Sequence, residues 1–423
     1  MDSTTVAQDV LDLIVQESGP LPADVNAAER IVQDKMRQLG QGTLQLHLSQ
    51  QKRLGYEGSS RGCECGRNQK FAGYRPRTLA TMLGAVNYRR AYYHCRHCGR
   101  GGCPYDTEAK LGNCQVSLNL AKAATLLAVN DPFSPSARIL QELTGVRLGD
   151  RTIQRLTRRA GKVADQEEKD LALRMATWNV PLPLAKPKRL YVAVDGAFIH
   201  LSDGWHDVKC VVCWWEDERG RLHQRRMARR ATAEEFKAFV WALACQCGLQ
   251  TASEVVLLGD GAAWIWEHVA GILGEQTICI TDWYHVSEHL WTCAKRLFGE
   301  GAEAAKTWEQ ERETLLWKGK SAQVLERLSQ DRASARGDKR VAVQELIAYL
   351  ENQGERLNYA EFRERGLDIG SGRVEAMCKQ VGVRMKRNGM RWSEPGAQAV
   401  LSLRSAWLNG QWNPFWDQHP LAA

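Results

Sequence analysis

Three acidic residues stand out by what surrounds them. Asp195 closes the apolar run Leu190 to Val194 in YVAVDGAFI, Asp260 follows Val255 to Leu258 in VVLLGDGAAWIW, and each precedes a glycine. An apolar run ending in a carboxylate is the pattern of a buried strand that presents its acid at the C-terminal edge of a sheet, where α/β folds place ligand chemistry. Glu375 has no strand before it; it follows the turn Gly370-Ser371-Gly372 at the start of a helix predicted over Val374 to Met385. Two strand-end aspartates and one distant, helix-borne glutamate form an all-oxygen donor set suited to a pair of divalent ions for phosphoryl transfer.

A second donor set is made of sulfur. Cys63-x-Cys65-Gly66 and Cys95-x-x-Cys98-Gly99 are two tight pairs with 29 residues between them. Each pair followed by Gly predicts a knuckle whose amides turn towards thiolates of one tetrahedral zinc, and RPRTLATMLGAVNYRRAYYHC between them reads as a hairpin turning at Gly84. The first pair is CxC rather than CxxC, so Cys103 and His97 stand as alternative ligands. Four thiolates leave no open position, which makes this zinc structural. The remaining cysteines lie singly in apolar contexts and read as small core residues, and a disulfide scaffold is not expected.

The elements that must position these groups follow from periodicity. Residues 1–58 read as N-terminal helices (Val6 to Val15, then Ala27 to Leu39), and 59–110 as the zinc ribbon. Residues 111–180 are helical: Ser117 to Val129, then a helix capped by Ser136, a turn at Gly145-Val146, and a basic helix capped by Asp150. A helix, a Gly-containing turn and a basic helix make a helix-turn-helix pattern, with Arg151, Gln154, Arg155 and Arg158 facing a groove or phosphates. Beyond the Pro-rich stretch Pro181 to Pro187, strands are expected over Leu190 to Ile199, Val208 to Glu216 and His223 to Arg230. Helix, strand, helix and strand then follow up to Thr281, so 188–285 reads βββαβαβ. Residues 286–365 read as an all-α insertion, 366–410 as the last helix with a basic segment, and 411–423 as a tail.

Charge is uneven although the net value is only +8. Arg61 to Arg100 holds nine Lys or Arg against Glu64, Arg147 to Lys162 six against Asp150, and Arg373 to Arg404 seven against Glu375 and Glu394. Three such clusters, each on a segment with its own motif, suit a polyanion. No apolar run approaches the roughly 18 residues of a membrane span, and no signal peptide precedes residue 20, so a cytoplasmic protein is expected.

With these motifs in place, the chain resembles the ISKra-four group of bacterial insertion-sequence transposases, of the DDE class and distantly like Mutator-type enzymes. The likeness runs through CxCG…YYHCxxCG, LTGVRLGDRTIQRLT, VDGAF, LGDGAAWIW, DWYHVSEHLW, NYAEFRERGLDIGSGRVEAMCKQ and MRWSEPGAQAVLSLR. It implies a multidomain α+β chain whose catalytic core is ribonuclease-H-like. It also implies that Asp195, Asp260 and Glu375 are a triad chelating two Mg2+ (or Mn2+), which activate the attacking oxygen and stabilise the leaving one. Asp282-x-x-His285 matches a motif of Mutator-like enzymes, with His285 near the scissile phosphate or seating Glu375; the alternative is a cap Asp with a packed His. Lys379, Lys386, Arg387, Arg391 and Trp392 are expected at the DNA. Implied partners are element terminal inverted repeats, target DNA and a second copy of the chain. A domesticated DNA-binding protein, a recombination nuclease and a transcription regulator are the competing readings.

Overall fold

The computed structural model describes residues 19–50, 54–111, 114–180, 182–387 and 389–419, with residues 8, 11, 12 and 14–17 near the start. It is a mixed α+β chain with two sheets and many helices, and it divides into two compact units, residues 1–163 with 412–423 and residues 164–411. The helix expected over Val6 to Val15 lies largely outside the described residues.

In the first unit, α1 (Val25–Gln50) runs well beyond the expected Leu39. Its Gln41 and Gln45 side chains bond the backbone of Ala85 and Asn87, which extends the helix across the neighbouring sheet. That sheet is antiparallel in the order β1 (Ser60–Gly62), β2 (Asn68–Thr81), β3 (Gly84–His94) and β4 (Gly101–Gly102). A short α2 (Pro104–Glu108) places Asp106 between Arg77 at 2.7 Å and Arg90 at 3.0 Å. Helices α3 (Leu118–Asn130), α4 (Phe133–Thr144) and α5 (Asp150–Leu173) follow. Ser136 does not cap α4. The helix starts one turn earlier after Pro132, and the Ser136 hydroxyl is buried, donating to the Pro132 carbonyl at 2.8 Å. Gly145 ends α4 at φ +67°, and a Cβ there would overlap Arg37, so the turn needs glycine.

The second unit is built on a five-stranded sheet in the order β7-β6-β5-β8-β9. Strands β5 (Arg189–Leu201), β6 (Gly204–Glu216) and β7 (Leu222–Arg229) form an antiparallel meander. After α6 (Ala233–Gln246), β8 (Glu254–Gly259) pairs parallel with β5, and β9 (Ile278–Thr281) parallel with β8. One face is packed by α6 and the segment after β8: Leu190, Val192, Val194, Val211, Phe236, Val240, Trp241, Leu257 and Ile265 are all buried. Each such side chain contributes about 1.5–3 kcal/mol of burial, which holds the strands that carry or precede the acids. Residues Ile265–Ala270 wind as a π-helix where an ordinary helix was expected, continued by the one-turn α7 (Gly271–Leu273).

The chain then runs through helices α8 (Trp283–Phe298), α9 (Glu303–Trp317), α10 (Ser321–Ser334), α11 (Gly337–Gln353) and α12 (Tyr359–Glu364). Helix α13 (Gly372–Met385) then lies against β5 and β6 on the face opposite α6, and α14 (Glu394–Leu408) against β7. Helix α15 (Trp412–Gln418) closes the described chain, where only a tail was expected. No helix among the described residues is long and apolar enough to cross a membrane.

Candidate active site and metal centre

Strand β5 does not end at Asp195. It continues to Leu201, because Gly196 to Leu201 stay paired with β6 and alternate buried with more exposed positions. What ends there is the parallel pairing: Ala193 is level with Leu258, and β8 stops at Gly259. Asp195 and Asp260 therefore stand at the same height on adjacent strands, at the carboxyl edge of β8.

Asp195 is half-buried on the α13 face. Its Oδ1 accepts the Gly196 amide at 2.6 Å, and the Cys378 thiol of α13 hydrogen-bonds to it. Burial pushes its pKa up, and the nearby Asp260 carboxylate adds to this, while its amide and thiol partners and His285 pull the other way. Cys378, read from sequence as a core cysteine, is thus part of the site. Asp260 Oδ1 accepts the Ala262 amide at 2.9 Å, and the insertion holds the loop from the other side. Tyr349 of α11 donates to the Asp260 carbonyl at 3.0 Å, and Gln353 to the Gly261 carbonyl at 3.2 Å. Gly261 has φ +98°, and a Cβ would come within 2.9 Å of the Tyr349 ring, which explains the glycine after Asp260.

Glu375 lies in the first turn of α13, one turn before Cys378, and pairs with Lys379 at 3.5 Å. The helix start is fixed by Asp282. This side chain is fully buried; Oδ1 caps α8 by accepting the Tyr284 amide at 2.9 Å, and Oδ2 accepts the hydroxyl of Ser371, the N-cap of α13. Both oxygens are engaged, so Asp282 is a cap and a clamp rather than a ligand. His285 sits half-exposed, 3.7 Å from Glu288 and close enough to Asp195 and Asp282 to favour their charged forms. His289 stacks on Tyr349 at 3.9 Å.

Among the described residues, Cys63, Cys65, Cys95 and Cys98 are the one set of three or more ligating side chains whose donor atoms all lie within 4.8 Å. The three carboxylates are not drawn that tightly together. A pair of ions about 3.5–4 Å apart spreads its ligands further than one ion does. The thiols do fit one ion: Cys63–Cys98 and Cys65–Cys95 are 3.6 and 3.7 Å apart, close to the roughly 3.8 Å edge of a ZnS4 tetrahedron with 2.3 Å bonds. Two matching turns build it, with Gly66 donating to Cys63 O and Gly99 to Cys95 O, both at 2.9 Å. The Cys98 and His97 amides pull the Cys95 thiol down to about 6, while the neighbouring thiols push Cys65 up to about 11, so the four share charge that a cation would neutralise. His97 thus contributes its amide, and neither its ring nor Cys103 belongs to the cluster.

Arg151, Gln154, Arg155 and Arg158, expected from sequence to face a groove or phosphates, are exposed along α5, while Ile153, Leu156, Thr157 and Ala160 are buried. Lys379, Lys386, Arg387 and Arg391 are exposed as well. Trp392 is not available to DNA. It is 7% exposed, its Nε1 donates to the Met385 carbonyl at 3.1 Å, and Arg384 covers the ring at 4.9 Å. A cleft of about 1500 Å³ opens beside Lys188, Arg189, Trp214 and Arg373 and does not include the carboxylates.

Two predictions follow from this geometry. The purified chain binds one zinc, measured by elemental analysis, and Cys65→Ser or Cys98→Ser loses the ion and lowers the melting temperature of the ribbon; unchanged zinc content in both would refute the four-thiol site. Asp195→Asn stabilises the metal-free protein near pH 7.5 by about 0.5–2 kcal/mol, the usual range for relieving a strained site. Because the folded pKa is raised, the penalty exists only above the unfolded value of about 4 and vanishes below it. Calorimetry at pH 7.5 and near pH 4 checks both sign and window, and a less stable Asp195→Asn at the higher pH contradicts the assignment.

Comparison with known proteins gives the following. The chain is 26% identical over 363 residues to the "UPF0236 protein in vanSb 3′ region" of Streptococcus gallolyticus, covering 79% of this chain and 73% of that protein. It is 22% identical over 342 residues to two UPF0236 proteins of Caldanaerobacter subterraneus subsp. tengcongensis, covering 78% of this chain and 68% and 64% of theirs. The model of an uncharacterised protein family, UPF0236, matches residues 29–414. The protein described here therefore belongs to the UPF0236 family.

Proposed function

We propose that this chain is a DNA transposase of the DDE class, similar to the ISKra-four group, that binds insertion-sequence ends and catalyses strand cleavage and transfer. The observation that carries the reading is the pairing of two chain-distant acids, Asp195 and Asp260, with the helix that bears Glu375 packed on the strand of Asp195. Asp195 and Asp260 stand at one height on adjacent strands, and the helix bearing Glu375 is clamped beside them. The sheet order with an antiparallel meander and two parallel strands supports a ribonuclease-H-like core. A half-buried aspartate beside a second carboxylate is a site that lacks positive charge, and the hard oxygen donors fit Mg2+ or Mn2+. Divalent ions there supply Lewis-acid activation of the attacking and leaving oxygens.

The chain's own residues do the rest. Asp195, Asp260 and Glu375 supply the negative charge that holds the ions, and Asp282 positions Glu375 through Ser371. His285 is a protonatable group close enough to Asp195 to favour its charged form. The four-thiol ribbon and the helices α4 and α5 are the DNA-end-binding parts, with Arg151, Gln154, Arg155 and Arg158 as contacts. Lys379, Lys386, Arg387 and Arg391 neutralise flanking phosphates. The protein acts in the bacterial cytoplasm as a dimer or larger assembly, since two element ends are handled together.

The test is cleavage of an end-labelled duplex carrying the element's own terminus, with Mg2+ or Mn2+. Asp195→Ala, Asp260→Ala and Glu375→Ala each lower cleavage by at least about 100-fold, the scale of losing one preorganised charged group, while binding is retained. Binding without cleavage by the wild type under either metal would replace this reading with that of a domesticated DNA-binding protein.

A further inference from the structure

Beside the cleft at Trp214, two arginines stand together that no carboxylate answers. Arg226 lies on β7 and Arg373 in the first turn of α13. In the register Trp214 opposes Gln224 and Val212 opposes Arg226, so Arg226 and Trp214 are diagonal neighbours on one face of the sheet. Arg373 reaches the same face, its guanidinium 5.4 Å from the centre of the Trp214 ring.

The surroundings are firmly placed. The Trp214 ring stacks on Tyr191 at 4.9 Å, with the planes 4° apart, and its Nε1 donates to Asp368 at 3.2 Å. Asn409 exchanges two hydrogen bonds of 2.8 Å with the backbone of Arg226. One guanidinium N–H of Arg226 donates to the Leu408 carbonyl at 3.1 Å. An arginine carries five N–H donors, so most of this fork is left for a ligand.

Electrostatics identify the ligand's charge. Arg226 is half-buried, and burial together with the nearby charge of Arg373 lowers its pKa, with no acid to offset either. Among the described residues neither arginine forms an ion pair. The acids that line the cleft are engaged elsewhere: Glu254 with Arg189 and Arg365, Asp217 with Arg221 and His223, and Asp368 with the indole. Glu216 and Glu218 are exposed to solvent, as are Lys186 and Lys188 of the same cleft. Paired guanidiniums without a counter-ion suit a phosphate, whose oxygens accept from both.

We propose that Arg226 and Arg373 bind a phosphate group at the Trp214 end of the cleft. The site goes beyond the strand-transfer reading and does not rest on it. Two sources share this chemistry: a phosphodiester of a DNA strand served by Glu375, which shares the first turn of α13 with Arg373, and a free phosphate ester.

Two measurements on the full chain without divalent metal test this. The first is the melting temperature in inorganic phosphate against chloride at equal ionic strength. At about ten times its Kd, phosphate raises the melting temperature of the wild type by roughly 3–6 °C. The effect is lost in Arg226→Gln and Arg373→Gln and partly kept in Arg373→Lys. In chloride Arg373→Gln melts no lower than the wild type, because the repulsion on Arg226 is gone, so a lost phosphate effect is not a lost fold. The second is binding of a labelled DNA duplex as a function of salt, where each Gln variant lowers the slope of log K against log [salt] by about 1. Both changes together assign the site to a DNA phosphate. A lost phosphate effect with an unchanged salt slope sustains the site and gives it to a free phosphate ester. Equal melting temperatures of the wild type in phosphate and chloride, or a phosphate effect intact in both Gln variants, would overturn it. Both changes in a protein that cuts no DNA would sustain the site and remove the cleavage reading. Cleavage that depends on the carboxylates, in a protein that phosphate does not stabilise, would overturn the site and leave that reading standing.

Discussion

The hydrogen bond from the Ser371 hydroxyl to the Asp282 carboxylate ties the candidate site together. Asp282 is fully buried, so its negative charge is tolerated only because both oxygens are satisfied, one by the first turn of α8 and one by the N-cap of α13. Leaving such a group unpartnered costs on the order of 1–3 kcal/mol or more. The same junction is laced by the Trp283 amide donating to the Ile369 carbonyl, and by Gly370, where a Cβ would come within 2.8 Å of the Tyr284 ring. Two helices that begin far apart in the chain thus share one anchoring carboxylate. The glutamate in the first turn of the second helix takes its place relative to the sheet from that anchor.

The helical insertion is part of the same construction. Its last long helix reaches back to hold the backbone of Asp260 and Gly261, so the loop bearing the second acid depends on Tyr349 and Gln353 for its shape. Asp195 is set differently, by its pairing with β6 just beyond the end of the β8 pairing and by the Cys378 thiol of α13. Three acids are therefore positioned by three separate devices, a strand, a pinned loop and a clamped helix. Burial and the neighbouring Asp260 carboxylate disfavour the charge on Asp195, the behaviour expected of a carboxylate that would welcome a cation.

Local patterns were the legible part of this chain. The apolar runs before Asp195 and Asp260, the paired cysteines with their glycines and the helical spacing of the insertion all correspond to elements in the structure. What local reading missed depends on distant packing. The strand expected over Leu190 to Ile199 runs two residues further, to Leu201, because its pairing with β6 continues to the turn. Basic neighbours made Trp392 look like a DNA contact, whereas Arg384 and the Met385 carbonyl enclose it. Ser371, Tyr349 and Gln353 carried no signal of their own, because each acts through a backbone or carboxylate partner about 90 residues away.

The most direct test of the central claim is the position of manganese in crystals of the protein grown with Mn2+, located by anomalous scattering. The account predicts manganese bound between Asp195 and Asp260, with Glu375 in its coordination sphere or in that of a second ion beside it. Manganese absent from these carboxylates at saturating concentration, in a protein that still cuts DNA, would contradict it.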